Sequence, residues 1–449
     1  MPHSRASAVQ AVEPSFYAPS LPGPLEVDIL GRLSVTDRLL AAGISRSFRA
    51  AVSDERLWLD VDLSSVDVAG GRAADALLRA VLVKTAGRVQ RLRLLVGRSP
   101  RRACTSVNAA LVGVRFAGAS LRHLELLCAP VSALGGESVV LLSERVDEVL
   151  RCAPRLVSLV TDVGCLLRDA RFLLLNEERY LPLRVRRLCV SSLDDAQVLL
   201  LAGAMSRHAS LQELVISNCE LLVTVGSVDA LVNAVLAHRL VALTACFMHP
   251  TMWVLSLARL LRDGAQLTSL AVVKCCDEDA SPFLVPATSP AFAAALQNNS
   301  VLTVLRLEGV NLWEFLEHGC AVVNALVAHP SLRELSLARN DVLVNRRVVV
   351  GHTLGHLVGV DAAALRVLNV SECSLDDDGS RPLFRALRGN TRLVTLRCHT
   401  NGVSDTFARH IALPCVRHNA SLRCLQATTP YDRTYQLVVA ERLVAARSN

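Results

Sequence analysis

Two histidines one helical turn apart have the spacing that most resembles a metal site. His352 and His356 stand at i and i+4 in the stretch HTLGH, a spacing that zinc-binding helices use. The metalloprotease form of this motif needs a Glu directly after the first His as the general base, and here Thr353 follows it. No third ligand is evident. We therefore predict two histidines on a helix, without a metal.

Other reacting groups are equally sparse. The sequence contains no G-x-x-x-x-G-K-[ST], no G-x-S-x-G and no G-x-G-x-x-G motif, so it lacks the usual short signatures of phosphate, nucleophile and dinucleotide sites. The acidic run Asp376, Asp377 and Asp378 fits a helix start, where negative charge interacts favourably with the helix dipole. No nucleophile is paired with a base. We therefore predict a protein that is not an enzyme and that uses no cofactor.

Composition narrows the class of protein further. The fourteen cysteines show no C-x-x-C spacing, the N-terminal fifteen residues show no apolar signal region, and no run of eighteen apolar residues occurs. These features predict a cytoplasmic or nuclear chain with reduced cysteines and no membrane span. The net charge of +7 is modest, and no basic run is interleaved with aromatic residues. We do not predict nucleic-acid binding.

A repeated phrase organises most of the chain. It is clearest in LRELSLARNDV, where Leu332, Leu335, Leu337 and Asn340 occupy positions one, four, six and nine. This is the pattern L-x-x-L-x-L-x-x-N/C of leucine-rich repeats. Clear copies begin at Leu211, Leu267, Leu302, Leu365 and Leu393, and weaker copies at Val89, Leu121, Leu156, Val185, Leu240 and Leu422. The mean step between copies is about 30 residues.

The spacing has a mechanical cause. Positions four and six are two residues apart, so on a strand they share one face and are buried, while the residues around them face the other way. Between the strands lie amphipathic stretches that predict helices at residues 195–207, 228–237, 252–262, 290–297 and 383–388. Stacked strand–helix units bury a continuous core as an α/β solenoid, with parallel strands on the concave face and helices on the convex face. The array resembles leucine-rich repeats of the ribonuclease-inhibitor-like type.

A different segment precedes the repeats. Within residues 21–63, apolar residues fall into three groups with helical spacing, and three short helices of this size make a poor core of their own. The layout resembles the F-box. The matching residues are Leu21-Pro22, Ile29-Leu30, Leu33-Ser34-Val35, Asp37, Ser45-Arg46, Phe48 and Asp54-Arg56-Leu57-Trp58. The segment departs from that pattern at Gly23-Pro24, where an acidic residue is common, and at Phe48, where Trp is usual.

An F-box followed by leucine-rich repeats resembles the F-box/LRR family, the substrate receptors of cullin-RING ubiquitin ligases. The resemblance implies docking on a Skp-type adaptor, and through it on a cullin. The residues implied to contact the adaptor are Leu21, Pro22, Ile29, Leu33, Ser34, Leu39, Phe48 and Trp58. The alternative is an intracellular scaffold, cytoskeletal or signalling, whose helical cap only looks like an F-box.

The concave face is predicted to bind a protein client. The receptor chain itself is predicted to be monomeric. Positions three, five, seven and eight line this face, so Glu334 and Ser336 should face the groove while Leu335 and Leu337 are buried. Charged residues cluster in the later repeats, where charge would tune specificity and association rate. The predicted client-binding residues are Arg306, Glu308, Glu334, Arg339, Glu372, Arg397 and His399.

These features divide the chain into five parts. We predict a disordered leader at residues 1–20, the F-box-like domain at 21–63, a helical linker and cap at 64–88, the repeat solenoid at 89–430 and a capping helix at 431–449. Residues 281–290 form a Pro-rich insertion, which we expect to lie as a surface loop on the rim of the solenoid.

Overall fold

One parallel sheet runs through the protein from residue 60 to residue 426. The structure, a computed structural model, describes residues 23–33, 37–38, 41, 50–52, 54–63, 88–96, 120–128, 152–161, 186–191, 193–205, 210–219, 224–238, 240–247, 253–264, 266–274, 282–360, 364–428 and 435–447. Thirteen strands follow one another in chain order. They are β1 Asp60–Leu63, β2 Arg91–Val96, β3 His123–Cys128, β4 Ser158–Thr161, β5 Arg187–Ser191, β6 Glu213–Cys219, β7 Ala242–Phe247, β8 Ser269–Lys274, β9 Val304–Glu308, β10 Glu334–Ser336, β11 Val367–Asn369, β12 Thr395–Arg397 and β13 Cys424–Gln426.

Helices connect the strands and lie on the other side of the sheet. They are α1 Gly23–Gly31, α2 Asp195–Met205, α3 Val225–His238, α4 Val254–Asp263, α5 Ser289–Asn298, α6 Leu316–Ala325, α7 Arg347–Gly359, α8 Asp376–Gly389, α9 Asp405–Phe407, α10 Leu413–His418 and α11 Tyr435–Ala445, with short 3-10 turns at Glu55–Trp58 and Val344–Arg346 and a π-helical turn at Ala408–Ala412. Each predicted repeat helix is present. Strands pair about 4.8 Å apart whereas helices pack 8–10 Å apart, so the array curves with its strands inside. The predicted leucine-rich-repeat solenoid is confirmed.

The repeat leucines form the core. Positions one and four are buried in every repeat whose residues are described; Leu332 and Leu335 are typical, and Leu335 is 0% exposed. Facing residues of neighbouring strands carry the same repeat position, as in the pairing of Leu335 with Leu305 and Leu368. The register predicted for these leucines is therefore confirmed.

The same hydrogen-bond pattern recurs where each strand begins to pair with the next. The position-two carbonyl oxygen of one repeat accepts hydrogen bonds from the N–H groups at positions two and three of the following repeat, as Thr303 does from Arg333 (2.8 Å) and Glu334 (3.0 Å). Leu59 accepts in the same way from Gln90 and Arg91, both at 2.9 Å. The backbone thus repeats one bonding pattern along the whole sheet.

The sheet begins one strand earlier than predicted. In the segment WLDVDL, Trp58, Val61 and Leu63 occupy positions one, four and six of an unpredicted first repeat, and β1 pairs with β2 in register. Trp58 is 3% exposed, and its Nε1 donates to the Val52 carbonyl at 2.6 Å. The predicted boundary at residue 63 is therefore wrong, because residues 58–63 belong to the solenoid.

The Pro-rich insertion is also placed differently from the prediction. Phe283 and Leu284 are buried, and the Phe283 ring packs edge-on against Phe292 of α5 with ring centroids 5.2 Å apart. The Phe283 N–H donates to the Val310 carbonyl at 3.1 Å. The described part of this insertion extends the core and does not form a free rim loop. The predicted leader at residues 1–20 and the predicted helical linker and cap at 64–88, apart from residue 88, lie outside the described residues.

Position nine explains why the repeat pattern requires Asn or Cys. Asn340 donates to the carbonyls of Leu307 (2.6 Å) and Leu337 (2.8 Å) and accepts from the N–H groups of Val310 (3.1 Å) and Leu312 (3.0 Å). One buried amide thereby satisfies four backbone groups where the chain leaves the strand. In the next repeat, the Cys373 thiol donates to the Leu337 carbonyl at 3.2 Å. Burial raises the pKa of this thiol to about 12, so it stays protonated.

A second buried amide closes the turn before position one. Asn299 accepts from the N–H groups of Val301 (3.0 Å) and Leu302 (2.8 Å), and its amide nitrogen donates at 2.6 Å to the Leu261 carbonyl of α4, the helix of the preceding repeat. Asn390 and Asn419 make the same set of bonds in later repeats. Each of these amides thereby bonds its turn to the helix of the preceding repeat.

His329 takes this place in the repeat of Leu332. Its Nδ1 accepts from the Leu332 N–H at 3.2 Å, but its buried Nε2 has no partner among the described residues. Burial lowers the pKa of His329. The imidazole is therefore neutral in the folded chain, and its Nε2–H lies buried without the carbonyl that an amide would reach.

We expect His329→Asn to stabilise the protein by about 1 kcal/mol, because the amide can donate to the carbonyl of Leu296 as its equivalents do. The substitution should also change the pH dependence. The unfolded imidazole has a pKa of about 6.5, above the lowered value of the folded state, so the wild type loses stability as the pH falls below about 6.5. Urea unfolding at pH 7.5 and 5.5 measures both effects. An equal loss with falling pH in both proteins would exclude His329 as its source.

The histidine pair and the acidic run have structural explanations. His352 and His356 lie exposed on α7, as predicted for a helix. In the acidic run, Asp376 pairs with Arg347 and accepts from the Asp378 N–H at 2.9 Å, which places it at the start of α8. Within the described ranges, no group of three His, Cys, Asp or Glu side chains could hold a metal ion, and no helix is long and apolar enough to cross a membrane.

Candidate protein-binding surface

Two rows of side chains line the strand face of the sheet. The register aligns position three of every repeat in one row and position five in the other. The described residues between the two ends are small and uncharged, as at Ala242, Thr244, Ser269 and Ala271. Charged side chains lie towards both ends. The concave surface, defined by these two rows, is thus charged at its two ends and neutral between them.

Cross-strand ion pairs occupy the end nearest the N-terminus. They are Arg91–Asp60 (3.3 Å), Arg93–Glu125 (2.8 Å) and Arg187–Glu213 (3.0 Å). Most of these side chains line a cleft of about 460 Å³ together with His123. Burial lowers the pKa of His123, and the nearby guanidinium groups of Arg91 and Arg122 lower it further. Paired in this way, the charges of this end are largely compensated within the chain.

Arg306 and Arg397 distinguish the other end of the concave surface. Arg306 bonds one carboxylate oxygen of Glu334 through Nε (3.0 Å) and Nη2 (2.6 Å). Arg397 lies between Asn369 on β11 and Gln426 on β13, so no carboxylate faces it in its row. Its buried Nε has no hydrogen-bond partner among the described residues. Of the two arginines, Arg306 pairs with a carboxylate, whereas Arg397 forms no ion pair with any residue in the described part of the chain.

Position eight forms a rim beside these rows. Gly309, Arg339, Glu372 and Thr400 occupy this position in four successive repeats. All four have a positive φ, with values of 64°, 62°, 57° and 57°. This left-handed conformation costs an ordinary residue about 1–2 kcal/mol. In this conformation the N–H groups of Gly309, Arg339 and Glu372 donate to the next repeat, as Glu372 does to the His399 carbonyl at 3.0 Å. The exposed side chains of Arg339 and Glu372 therefore project from a fixed backbone.

The remaining predicted client-binding residues lie close to this rim. Glu308 is half-buried at the end of β9, and His399 is half-buried beyond β12, where its Nδ1 lies 3.2 Å from the Thr400 hydroxyl. Ser336, which was expected to face the groove, is only 2% exposed and accepts from the Asn369 amide at 3.1 Å. Ser336 therefore lies in the position-five row of the concave surface, but its neighbours in that row cover it and it offers almost no exposed surface to a client.

The predicted adaptor-binding residues separate into three groups. Ile29 is 36% exposed on α1, with Leu25, which the prediction omitted, 45% exposed one turn earlier. Leu33 is half-buried and packs against the chain's own core, and the buried Trp58 is not accessible to a partner, so its assignment as a contact is wrong. The residues outside the described part of the chain are Leu21, Pro22, Ser34, Leu39 and Phe48.

Arg38 fixes α1 against the start of the solenoid. Its guanidinium donates to the carbonyls of Leu30 (2.9 Å) and Gly31 (3.0 Å) at the end of α1 and to the Leu57 carbonyl at 2.5 Å. The last carbonyls of a helix need such partners. The helix is thus held on the first repeat with Leu25 and Ile29 exposed.

Comparison with known proteins gives matches among solved structures. No family model matches the chain, and no curated protein matches it. Among solved structures, the chain is similar to one in the crystal structure of the Rad7 and Elc1 complex in yeast, with 16% sequence identity, a TM-score of 0.40, and coverage of 91% of this chain and 90% of that chain.

Proposed function

We propose that this chain is the substrate-receptor subunit of a cullin-RING (SCF-type) ubiquitin ligase. Its N-terminal helical segment docks the Skp-type adaptor, and its concave surface binds a protein client. The observation that supports the first half is the apolar stripe of Leu25 and Ile29 on a helix that Arg38 holds against the solenoid. Large apolar side chains that stay exposed side by side favour a protein contact. The chain itself catalyses no step; the ligase activity resides in its partners.

Adaptor binding tests this proposal directly. We expect the purified full chain to bind a purified Skp-type adaptor, and Ile29→Asp to weaken binding about 100-fold, because a charge enters a dry contact. Arg32→Ala is the matched control, since this exposed side chain on the same segment pairs with the likewise exposed Asp28. Affinities are measured by calorimetry. Absence of adaptor binding by the wild type, with the chain folded by circular dichroism, would refute the receptor function.

A second function is favoured by the burial of the same segment. Leu30, Leu57 and Trp58 belong to one continuous core with the first strands, as expected of a cap that shields the end of a solenoid. An intracellular scaffold with such a cap would bind a protein on its concave surface and no adaptor. The adaptor measurement therefore separates the two functions.

Client binding is proposed to depend on Arg397 more than on Arg306. The planar guanidinium of Arg397 can pair bidentately with a carboxylate of the client, whereas Arg306 already bonds Glu334. With a client identified by proximity labelling, we expect Arg397→Ala to weaken binding at least about tenfold and Arg306→Ala to weaken it less than about threefold. Both melting temperatures should match the wild type. An equal loss in the two variants would show that the client senses overall charge and not Arg397.

A further inference from the structure

A cleft between α7 and α8 lies on the helix side of the solenoid, opposite the concave surface. The two helices approach closely at glycines: a Cβ at Gly355 would lie only 2.9 Å from the Pro382 carbonyl oxygen, and one at Gly351 would meet the backbone of Gly379. The side chains that flank this line of contact border an open cleft of about 480 Å³. That volume lies within the range of about 300–1,000 Å³ typical of small-molecule sites.

Basic side chains from both helices converge on this cleft. His352 and His356 line it from α7, one turn apart, and Arg381 and Arg385 line it from α8, also one turn apart. The one acidic side chain that lines it is Asp378. Four potential cationic donors thus share a small space with a single carboxylate.

These basic groups have no acidic partner bonded to them in the described part of the chain. Neither the two histidine rings nor the two guanidinium groups form a hydrogen bond or an ion pair with another described residue; Arg381 lies over the Phe407 ring, 5.8 Å from its centroid. The concave surface differs, because Arg91, Arg93 and Arg187 each pair with a carboxylate there. Guanidinium groups that have no carboxylate partner remain available to bind an anion.

We propose that the cleft between α7 and α8 binds a small phosphorylated molecule. The guanidinium forks of Arg381 and Arg385 hold the phosphoryl oxygens, since their planar geometry matches phosphate, and His352 and His356 donate from the opposite wall. Val348 and Pro382 supply an apolar floor for the organic part of the ligand. The site is separate from the concave surface, so it does not depend on the proposed receptor function.

The test uses the full chain and three probes, inorganic tripolyphosphate, inorganic phosphate and phenyl phosphate, at constant ionic strength. Calorimetry should show saturable binding of one tripolyphosphate per chain. Arg381→Gln with Arg385→Gln should weaken it at least tenfold, and His352→Gln with His356→Gln at least threefold. Phenyl phosphate should bind more tightly than inorganic phosphate because of the apolar floor. These side chains are exposed or half-buried, so the variants should melt at the wild-type temperature.

Arg388→Gln is the matched control, because Arg388 is an exposed arginine on α8 that does not line the cleft. Its affinity for tripolyphosphate should remain within twofold of the wild type. A loss equal to that of the double arginine variant would mean diffuse attraction of polyanions, including nucleic acids, and would overturn the proposal. Absence of tripolyphosphate binding by the wild type, or weaker binding of phenyl phosphate than of inorganic phosphate, would also overturn it.

Discussion

Asn340→Ala is expected to destabilise the protein by about 4 kcal/mol or more. The substitution removes the amide that bonds four backbone groups in the core; the Leu337 carbonyl keeps the Cys373 thiol as a donor, while the groups of Leu307, Val310 and Leu312 lose this partner. Each buried polar group left without a partner costs about 1–3 kcal/mol. Equilibrium urea unfolding measures the change, and hydrogen exchange should locate it in the repeats on either side of Asn340.

Asn340→Cys provides the matched control for this experiment. Cys373 shows that a thiol fits position nine and donates to a strand carbonyl. We expect Cys to cost less than Ala, because one of the four backbone groups keeps a partner. If the free energy of unfolding of Asn340→Ala lies within about 1 kcal/mol of the wild-type value, water replaces the amide. The repeat then does not need Asn at position nine for stability.

Leu335→Ala is expected to cost about 2–5 kcal/mol, the range for truncating a fully buried leucine. Leu335 is enclosed by Leu305 and Leu368 of the neighbouring strands, which cannot collapse into the cavity without disturbing the sheet register. Urea unfolding followed by circular dichroism measures this loss.

Ser336→Ala tests the strand register beside it. Ser336 loses one hydrogen bond from Asn369, whose half-buried amide can bind water instead, so we expect a cost of about 1 kcal/mol or less. Equal costs for the two substitutions would contradict the register in which position four is the buried one.

The repeat pattern predicted the fold because the position of each strand is set mainly by the burial of the leucines in its own repeat. Leu335 and Leu337 are buried as the period-two spacing requires, and the helices follow from amphipathic spacing between strands. The first strand was missed because Trp58 stands where the pattern has Leu, inside a segment interpreted as an F-box. A search for an apolar residue of any kind at positions one, four and six would have found Trp58, Val61 and Leu63.

The candidate surfaces were less predictable, because partners across strands are not adjacent in sequence. Position alone placed Arg306 and Arg397 on the concave face. It could not indicate that Arg306 forms an ion pair with Glu334. Nor could it indicate that the neighbours of Arg397 in its row are the uncharged Asn369 and Gln426. Nor could it indicate that His352 and His356 would meet Arg381 and Arg385, since that encounter depends on the close approach of α7 and α8 at Gly351 and Gly355.

The carbonyl bond that recurs between successive strands has an evolutionary consequence. Because every junction uses the same position-two oxygen and the same two N–H groups, β9 presents to β10 the surface that β10 presents to β11. Duplication or deletion of a whole unit, such as residues 332–364, would leave matching partners at the new junction. A deletion of one residue within a strand would exchange its buried and exposed side chains. Lineages of this protein should therefore differ in length by whole units, with smaller insertions and deletions confined to the connections between strand and helix.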